Sequence, residues 1–258
     1  LIMINSFKEK LFYKFTKKYW KLINQKHGII NNFTVQHGLF KELKLNKQQY
    51  WNSGDLGSKI YGFYEKDVQE TIYKIVKKYK IKQFINIGSA DGYFPIGFLR
   101  LNLFKNAICF EQNKIGQKSI IQNAVNNKVL DKIKVFGELN NTNFNKELIS
   151  KLKKSPSIIL CDIEGYEYKL FSLKNLELLK NEFLIIEIHP TSKSNQIKFN
   201  KNIKRYFNTR EIFSSSNNFN DLQGLHNIND IDRNLLTSEG RSFIGKWLIL
   251  EPKLIKQN

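Results

Sequence analysis

The sequence predicts an α/β fold: a doubly wound, mostly parallel, Rossmann-like seven-stranded sheet with an antiparallel last strand and an N-terminal helical extension. Three observations carry this. Five short apolar runs, "KQFINIG", "NAICFE", "KIKVFGE", "PSIILCDIE" and "EFLIIEIH", each precede a stretch with helical periodicity. Strands that are apolar on both faces and alternate with helices form a parallel sheet covered on each side. Further on, "TREIFSS" and "FIGKWLILEP" read as two strands without a clear crossover helix between them, so the sheet is expected to finish antiparallel. Finally, the first run ends in "INIGSADGYF", a bend of small residues where the strand gives way to a helix. Ligands of doubly wound sheets bind outside the carboxyl ends of the strands, where the strand order reverses.

The elements follow in chain order. Residues 1–64 are expected to form an extension, and residues 65–258 the main domain. In the extension, Leu11, Phe12, Phe15, Tyr19, Leu22 and Ile23 recur at helical spacing with Lys14, Lys17, Lys18 and Lys21 between them, which predicts a basic amphipathic helix. Its plain reading is a helix docked on the domain, and its sharper one is peripheral contact with a membrane surface. Residues 31–62 lack clear periodicity and are expected to wrap the domain irregularly. A helix is expected over Glu65–Lys80, with Val68, Ile72, Ile75, Val76 and Tyr79 on its apolar side. After the five strand-like runs, helices are expected near Phe94–Phe104, Ile115–Asn127, Asn145–Lys153, Tyr166–Leu179 and Asn195–Phe207. The polar connection Asn217–Gly240 is long, and loops of that length in compact domains are usually functional or disordered.

At 258 residues and 41% hydrophobic, the chain can bury a sizeable core. The net charge of +19 would ordinarily point to an anionic partner. Its basic residues are overwhelmingly Lys, however, whereas nucleic-acid readers concentrate the planar fork of Arg. Nucleic acid is therefore not the expected partner. Cys109 and Cys161 both sit in apolar runs, which implies buried thiols, a reducing compartment and no disulfide framework. No apolar run approaches the roughly 20 residues of a bilayer span. Lys8, Lys10, Lys14, Lys17 and Lys18 interrupt what would be a signal peptide's core, so a cytoplasmic location is expected.

Gly88 and Gly92 would let backbone approach a ligand closely, with Ser89 and Ala90 keeping the crevice open. The missing side-chain volume reads as space for a cofactor. Glu111 ends the second strand, where a carboxylate can accept both hydroxyls of a ribose. That pairing suits an adenosine-bearing ligand, either a dinucleotide or S-adenosylmethionine. A phosphate-binding P-loop is excluded because the Gly-Lys-Ser/Thr ending is missing.

"INIGSADGYF", "ICFEQN", "IILCDIEGYEYKLF" and "LIIEIHP", in this order, resemble the FkbM-type family of class I S-adenosylmethionine-dependent methyltransferases. The most specific element is Asp162-Ile163-Glu164-Gly165-Tyr166-Glu167, similar to that family's Asp-x-Glu-Gly-x-Glu signature after strand four. Glu187-x-His189 also looks like the family pattern. The likeness covers about Lys82 to His189, with "YGFYEKDVQETI" resembling a segment that precedes the domain in related enzymes.

The resemblance implies S-adenosyl-L-methionine as cofactor and assigns contacts to it. Gly88, Ser89, Asp91 and Gly92 would line the methionine end, Glu111 with the adjoining Gln112 the ribose side, and Gly137 with Glu138 the adenine side. Asn86 stands where the family commonly has Asp; its amide oxygen can still meet the methionine ammonium, without the charge attraction. Tyr64 and Glu65 would close over the cofactor, or else pack and open a helix. Asp162 is implied to contact the cofactor and face methyl transfer, its plain alternative being a turn-forming Asp. Glu164 and Glu167 crowd the same turn, and clustered carboxylates are costly without a cation, a proton or donors nearby. His189 is the candidate general base, because imidazole titrates near neutral pH, with Glu187 beside it to orient it. Asp162, Glu164, Glu187 and His189 could alternatively bind a divalent ion, but nothing in their spacing demands one and no metal is assigned. His27, His37 and His226 default to structural or surface roles.

The expected function is methylation of a hydroxyl on a sugar, glycan precursor or small polar metabolite. A dinucleotide-dependent oxidoreductase would share Gly88 and Glu111. A non-catalytic module binding nucleic acid or an anionic surface would account for the charge.

Overall fold

A computed structural model describes residues 7–48, 54–153, 155–214, 222, 224–241 and 244–253, with the side chains of residues 7–11 outside the description. The chain divides into two compact units: residues 1–66 with 216–242, and residues 67–215 with 243–258.

The first unit is built on α1 (Phe7–Ile30), which is longer than its periodic core, and the short α2 (Leu56–Ile60). Between them the chain makes one isolated antiparallel bridge, Thr34 to Lys44. A later helix, Asp230–Thr237, belongs to the same unit although it lies far along the sequence. Trp20 Nε1 donates to the Leu235 carbonyl at 2.6 Å, and Tyr19 donates to Asp232 Oδ1 at 2.7 Å. The long polar connection thus contains a helix packed on α1. Gly57 permits the close fit: a Cβ there would stand 2.6 Å from the Leu236 carbonyl oxygen.

The second unit holds the sheet. Its elements are α3 (Lys66–Tyr79), β1 (Gln83–Ile87), α4 (Tyr93–Arg100), β2 (Asn106–Phe110), α5 (Lys114–Asn126), β3 (Ile133–Phe136), α6 (Phe144–Glu147) and β4 (Ser157–Cys161). There follow α7 (Glu167–Leu170), α8 (Leu173–Leu178), β5 (Phe183–Glu187), α9 (Lys193–Tyr206), β6 (Phe207–Phe213) and β7 (Lys246–Pro252); the Asp230–Thr237 helix is α10. The strand order is β3-β2-β1-β4-β5-β7-β6, with β1 to β5 parallel and β7 antiparallel to both neighbours. This is the doubly wound, mostly parallel seven-stranded sheet with a reversed last strand that the sequence predicts.

Two expected helices are each interrupted. The stretch Tyr166–Leu179 is α7 and α8, because Ser172 adopts extended backbone and its hydroxyl caps Asn175 N–H at 3.3 Å. The stretch near Asn145–Lys153 is α6 followed by a 3₁₀ turn.

Every residue of β1, β4 and β5 is buried, as central parallel strands require. Phe84, Phe94, Phe98 and Phe104 pack edge-on or offset, with Phe84 and Phe104 centroids 5.1 Å apart, and fasten α4 to β1. Each such pair contributes about 0.5–1.5 kcal/mol beyond burial. The loop between β1 and α4 is therefore held at both ends. Strand order reverses between β1 and β4, which opens the crevice at their carboxyl ends. Cys109 and Cys161 are buried free thiols, and burial pushes the Cys109 thiol up to about 12. No described helix is long and apolar enough to cross a membrane.

Candidate active site

The carboxyl ends of β1 to β3 bring together most of the residues expected to meet a cofactor. In the loop after β1, Gly88, Ala90 and Gly92 have φ of 79°, 46° and 82°, so left-handed backbone recurs at alternate positions. Ser89 donates its hydroxyl to the Asn86 carbonyl at 2.8 Å. Asp91 Oδ1 accepts from the N–H of Tyr93, the first residue of α4, at 3.3 Å. The Asn86 amide is buried within the sheet, donating towards the Leu160 carbonyl at 3.4 Å.

The two glycines have another physical reason than open space. A Cβ on Gly88 would lie 1.7 Å from the Asp162 carbonyl oxygen, because the loops after β1 and β4 pass against each other there. A Cβ on Gly92 would meet Ile96 at 2.9 Å and Ile120 at 3.2 Å. At both carbons the protein itself fills the volume that the sequence assigns to a ligand. Their positive φ and this close packing account for glycine.

Glu111 is buried, and both of its carboxylate oxygens are engaged: Oε2 accepts from Ala90 N–H and Oε1 from Asn113 N–H, each at 2.8 Å. Burial raises its pKa, and the two backbone donors counter this in part. Each oxygen keeps a further lone pair for a ribose hydroxyl. Gln112 is exposed beside it. Gly137 and Glu138 are exposed at the end of β3, and a Cβ on Gly137 would come no closer than 4.0 Å to Gln117 Nε2. Tyr64 and Glu65 lie in the first unit, where Glu65 pairs with Arg241 and its N–H donates to Glu239 Oε1 at 2.7 Å. Arg241 gave no signal in the sequence, since its partners are brought to it only by folding.

At the carboxyl ends of β4 and β5, Asp162, Glu164, Glu167, Glu187 and His189 form one cluster. His189 Nε2 lies 3.3 Å from Glu164 Oε2 and 3.7 Å from Asp162 Oδ1. On the other side of the ring, Nδ1 is 3.2 Å from Glu167 Oε1, which also accepts from the His189 backbone N–H at 3.0 Å. Tyr168 donates its hydroxyl to the His189 carbonyl at 2.7 Å, fixing the end of β5 from α7. Glu167, wholly buried at the start of α7, is therefore a residue that orients His189. Glu187 also acts on the Asp162 carboxyl. Burial, then the charge of Glu187, holds the Asp162 carboxyl well above the usual range.

Burial pulls the His189 pKa down, but bonds to Glu164 and Glu167 outweigh it and carry it up to about 10. In this arrangement the imidazole is already charged at neutral pH. It differs there from the neutral-range base expected of an isolated histidine, because three carboxylates surround it. Glu164 reaches the ring from left-handed backbone, φ 53°, which costs a non-glycine residue about 1 kcal/mol.

The strand order and reversed β7 define a doubly wound, Rossmann-like fold. No protein-family model and no curated protein matches the chain. Solved structures that resemble it include an uncharacterized protein of Listeria monocytogenes serotype 4b, 14% identical with a TM-score of 0.45 over 73% of this chain and 68% of its own. TrmK of M. capricolum, solved with S-adenosyl-homocysteine, is 13% identical with a TM-score of 0.45 over 72% of this chain and 68% of its own. Sp1610 of Streptococcus pneumoniae, solved with S-adenosyl-L-methionine, is 17% identical with a TM-score of 0.44 over 73% of this chain and 75% of its own.

Proposed function

We propose that this chain is an S-adenosyl-L-methionine-dependent methyltransferase that methylates a hydroxyl of a sugar, glycan precursor or small polar metabolite. The supporting observation is one edge of one sheet that carries both the Gly88–Gly92 loop with buried Glu111 and, across the switch point, the Asp162–His189 cluster. Glu111 would take the ribose hydroxyls on its remaining lone pairs, and the loop after β1 would receive the methionine end. The bound sulfonium supplies an activated methyl group. What this chain must add is alignment of the acceptor oxygen and uptake of its proton within the cluster of Asp162, Glu164, Glu187 and His189.

Calorimetric titration with S-adenosylhomocysteine tests the reading. Wild type is expected to bind, and Glu111→Ala and Gly92→Val to bind at least tenfold more weakly. No heat with wild type, or heat unchanged in both variants, overturns it.

A second contact is proposed for the first unit. Phe12, Phe15, Tyr19, Leu22 and Ile29 stand exposed along one face of α1, Phe12 and Ile29 at 73% and 64%, flanked by the exposed Lys14, Lys18 and Lys21. An apolar stripe edged with lysine complements an anionic lipid surface. Co-sedimentation with vesicles containing anionic lipid, lost in Phe15→Glu/Leu22→Glu and absent with neutral vesicles, would support it; equal behaviour of variant and wild type would end it.

A further inference from the structure

We propose that Asp162 Oδ1, Glu164 Oε2 and His189 Nε2 hold a divalent cation at the carboxyl ends of β4 and β5, leaving positions open for acceptor hydroxyls. The three donor atoms lie within 4.8 Å of one another. His189 Nε2 stands 3.3 Å and 3.7 Å from its two oxygen partners. Neighbouring donors on an ion with bonds of about 2.0–2.2 Å are roughly 3.0–3.5 Å apart, so the two His189 distances need only a small contraction to reach coordination.

Three features beyond proximity point to an ion. First, the far nitrogen of the ring is committed: Nδ1 faces Glu167 Oε1 at 3.2 Å, and Glu167 is wholly buried. A carboxylate that bonds one imidazole nitrogen while the other faces oxygen donors is the arrangement that supports metal-bound histidine. Second, two buried oxygens of the cluster, Asp162 Oδ1 and Glu167 Oε2, have no hydrogen-bond partner among the described residues. The first of these is a proposed ligand atom, sealed from water and facing Nε2. Third, Glu164 is held toward the ring from left-handed backbone, and Gly165 follows at φ 100°, so the turn spends conformational energy on placing that carboxylate.

With its Nε2 proton released as the ion binds, one imidazole joins two carboxylates in a set that suits a hard to borderline ion such as Mn²⁺ or Mg²⁺, which takes about six ligands and keeps the rest as water or substrate oxygen. Glu164 is the exposed member of the set, so the open positions face the crevice mouth. The role rests on the methyltransferase reading; the binding does not. In that role the ion makes a coordinated acceptor hydroxyl more acidic. Its proton passes to a cluster carboxylate or to water, its oxygen lone pair forms the bond to the methyl carbon, and the carbon–sulfur pair returns to sulfur as S-adenosylhomocysteine leaves.

The test uses EDTA-treated, full-length protein titrated with Mn²⁺ and followed by electron paramagnetic resonance. Wild type is expected to bind one ion saturably. Asp162→Asn and His189→Gln should each weaken it at least tenfold, and Glu167→Gln by about 10-fold or more through lost support. Glu182→Gln, remote from the cluster, should leave it unchanged. Should any variant fail to fold, anomalous diffraction from Mn²⁺-soaked wild-type crystals decides: a peak within bonding reach of the three donors supports the site. No saturable ion, unchanged affinity in all three variants, or a peak elsewhere overturns it. S-adenosylhomocysteine calorimetry in EDTA separates the two proposals, since heat there without Mn²⁺ binding would remove only the ion.

Discussion

At the β1–β2 half of the crevice, the carboxylate of Glu111 is satisfied by the backbone N–H groups of Ala90 and Asn113. At the β4–β5 half, by contrast, Asp162, Glu164, Glu167, Glu187 and His189 answer one another with side chains, and two buried oxygens have no hydrogen-bond partner among the described residues. Backbone donors do not titrate, so the partners of Glu111 keep their charge at every pH. A side-chain cluster changes with each proton or cation it holds. The contrast supports the proposal that one half holds the cofactor and the other carries the chemistry. The two halves meet where Gly88 passes against the Asp162 carbonyl.

The sharpest way to break this contrast is Gly88→Ala. Its Cβ would require the loop after β4 to move, in a left-handed backbone besides, and the expected loss is about 3–5 kcal/mol in urea denaturation. A loss below 1 kcal/mol would show that the halves are not mechanically joined. Next in size is Glu182, directly before β5 and outside both halves, whose carboxyl burial pushes up to about 7. The folded state keeps a proton that the unfolded chain releases near 4.5, so stability is full below that pH and falls as pH rises through 7. Glu182→Gln should recover on the order of 3 kcal/mol above pH 8 and little below pH 4. Denaturation at both pH values separates this fold-wide titration from that of the site.

Glu167→Gln tests whether the second half depends on charge. In metal-free protein the His189 pKa should fall from about 10, read by NMR of the ring, with stability reduced by roughly 1–3 kcal/mol. An unmoved ring would mean that Glu167 only packs. The smallest effect is expected of Gly137→Ala, where a Cβ meets nothing closer than Gln117 Nε2 at 4.0 Å. Stability should change by no more than about 0.5 kcal/mol, and any weakening of S-adenosylhomocysteine binding would then report a ligand passing over that carbon.

The sequence by itself determined the sheet, its winding and its reversed end, because apolar runs such as "FINI" and "SIILC" can only be satisfied on both faces in a covered parallel sheet. It also marked Gly88, Glu111, Asp162 and His189 as residues that strand ends present. What only the tertiary structure decided was partnership. Glu167 braces His189, Glu65 answers Arg241, and the Asp230–Thr237 helix packs on α1. Strand periodicity is a local property, written into every few residues. Which carboxylate reaches which ring depends on how a helix after one strand lies against the end of the next, and that is fixed only when the whole layer packs.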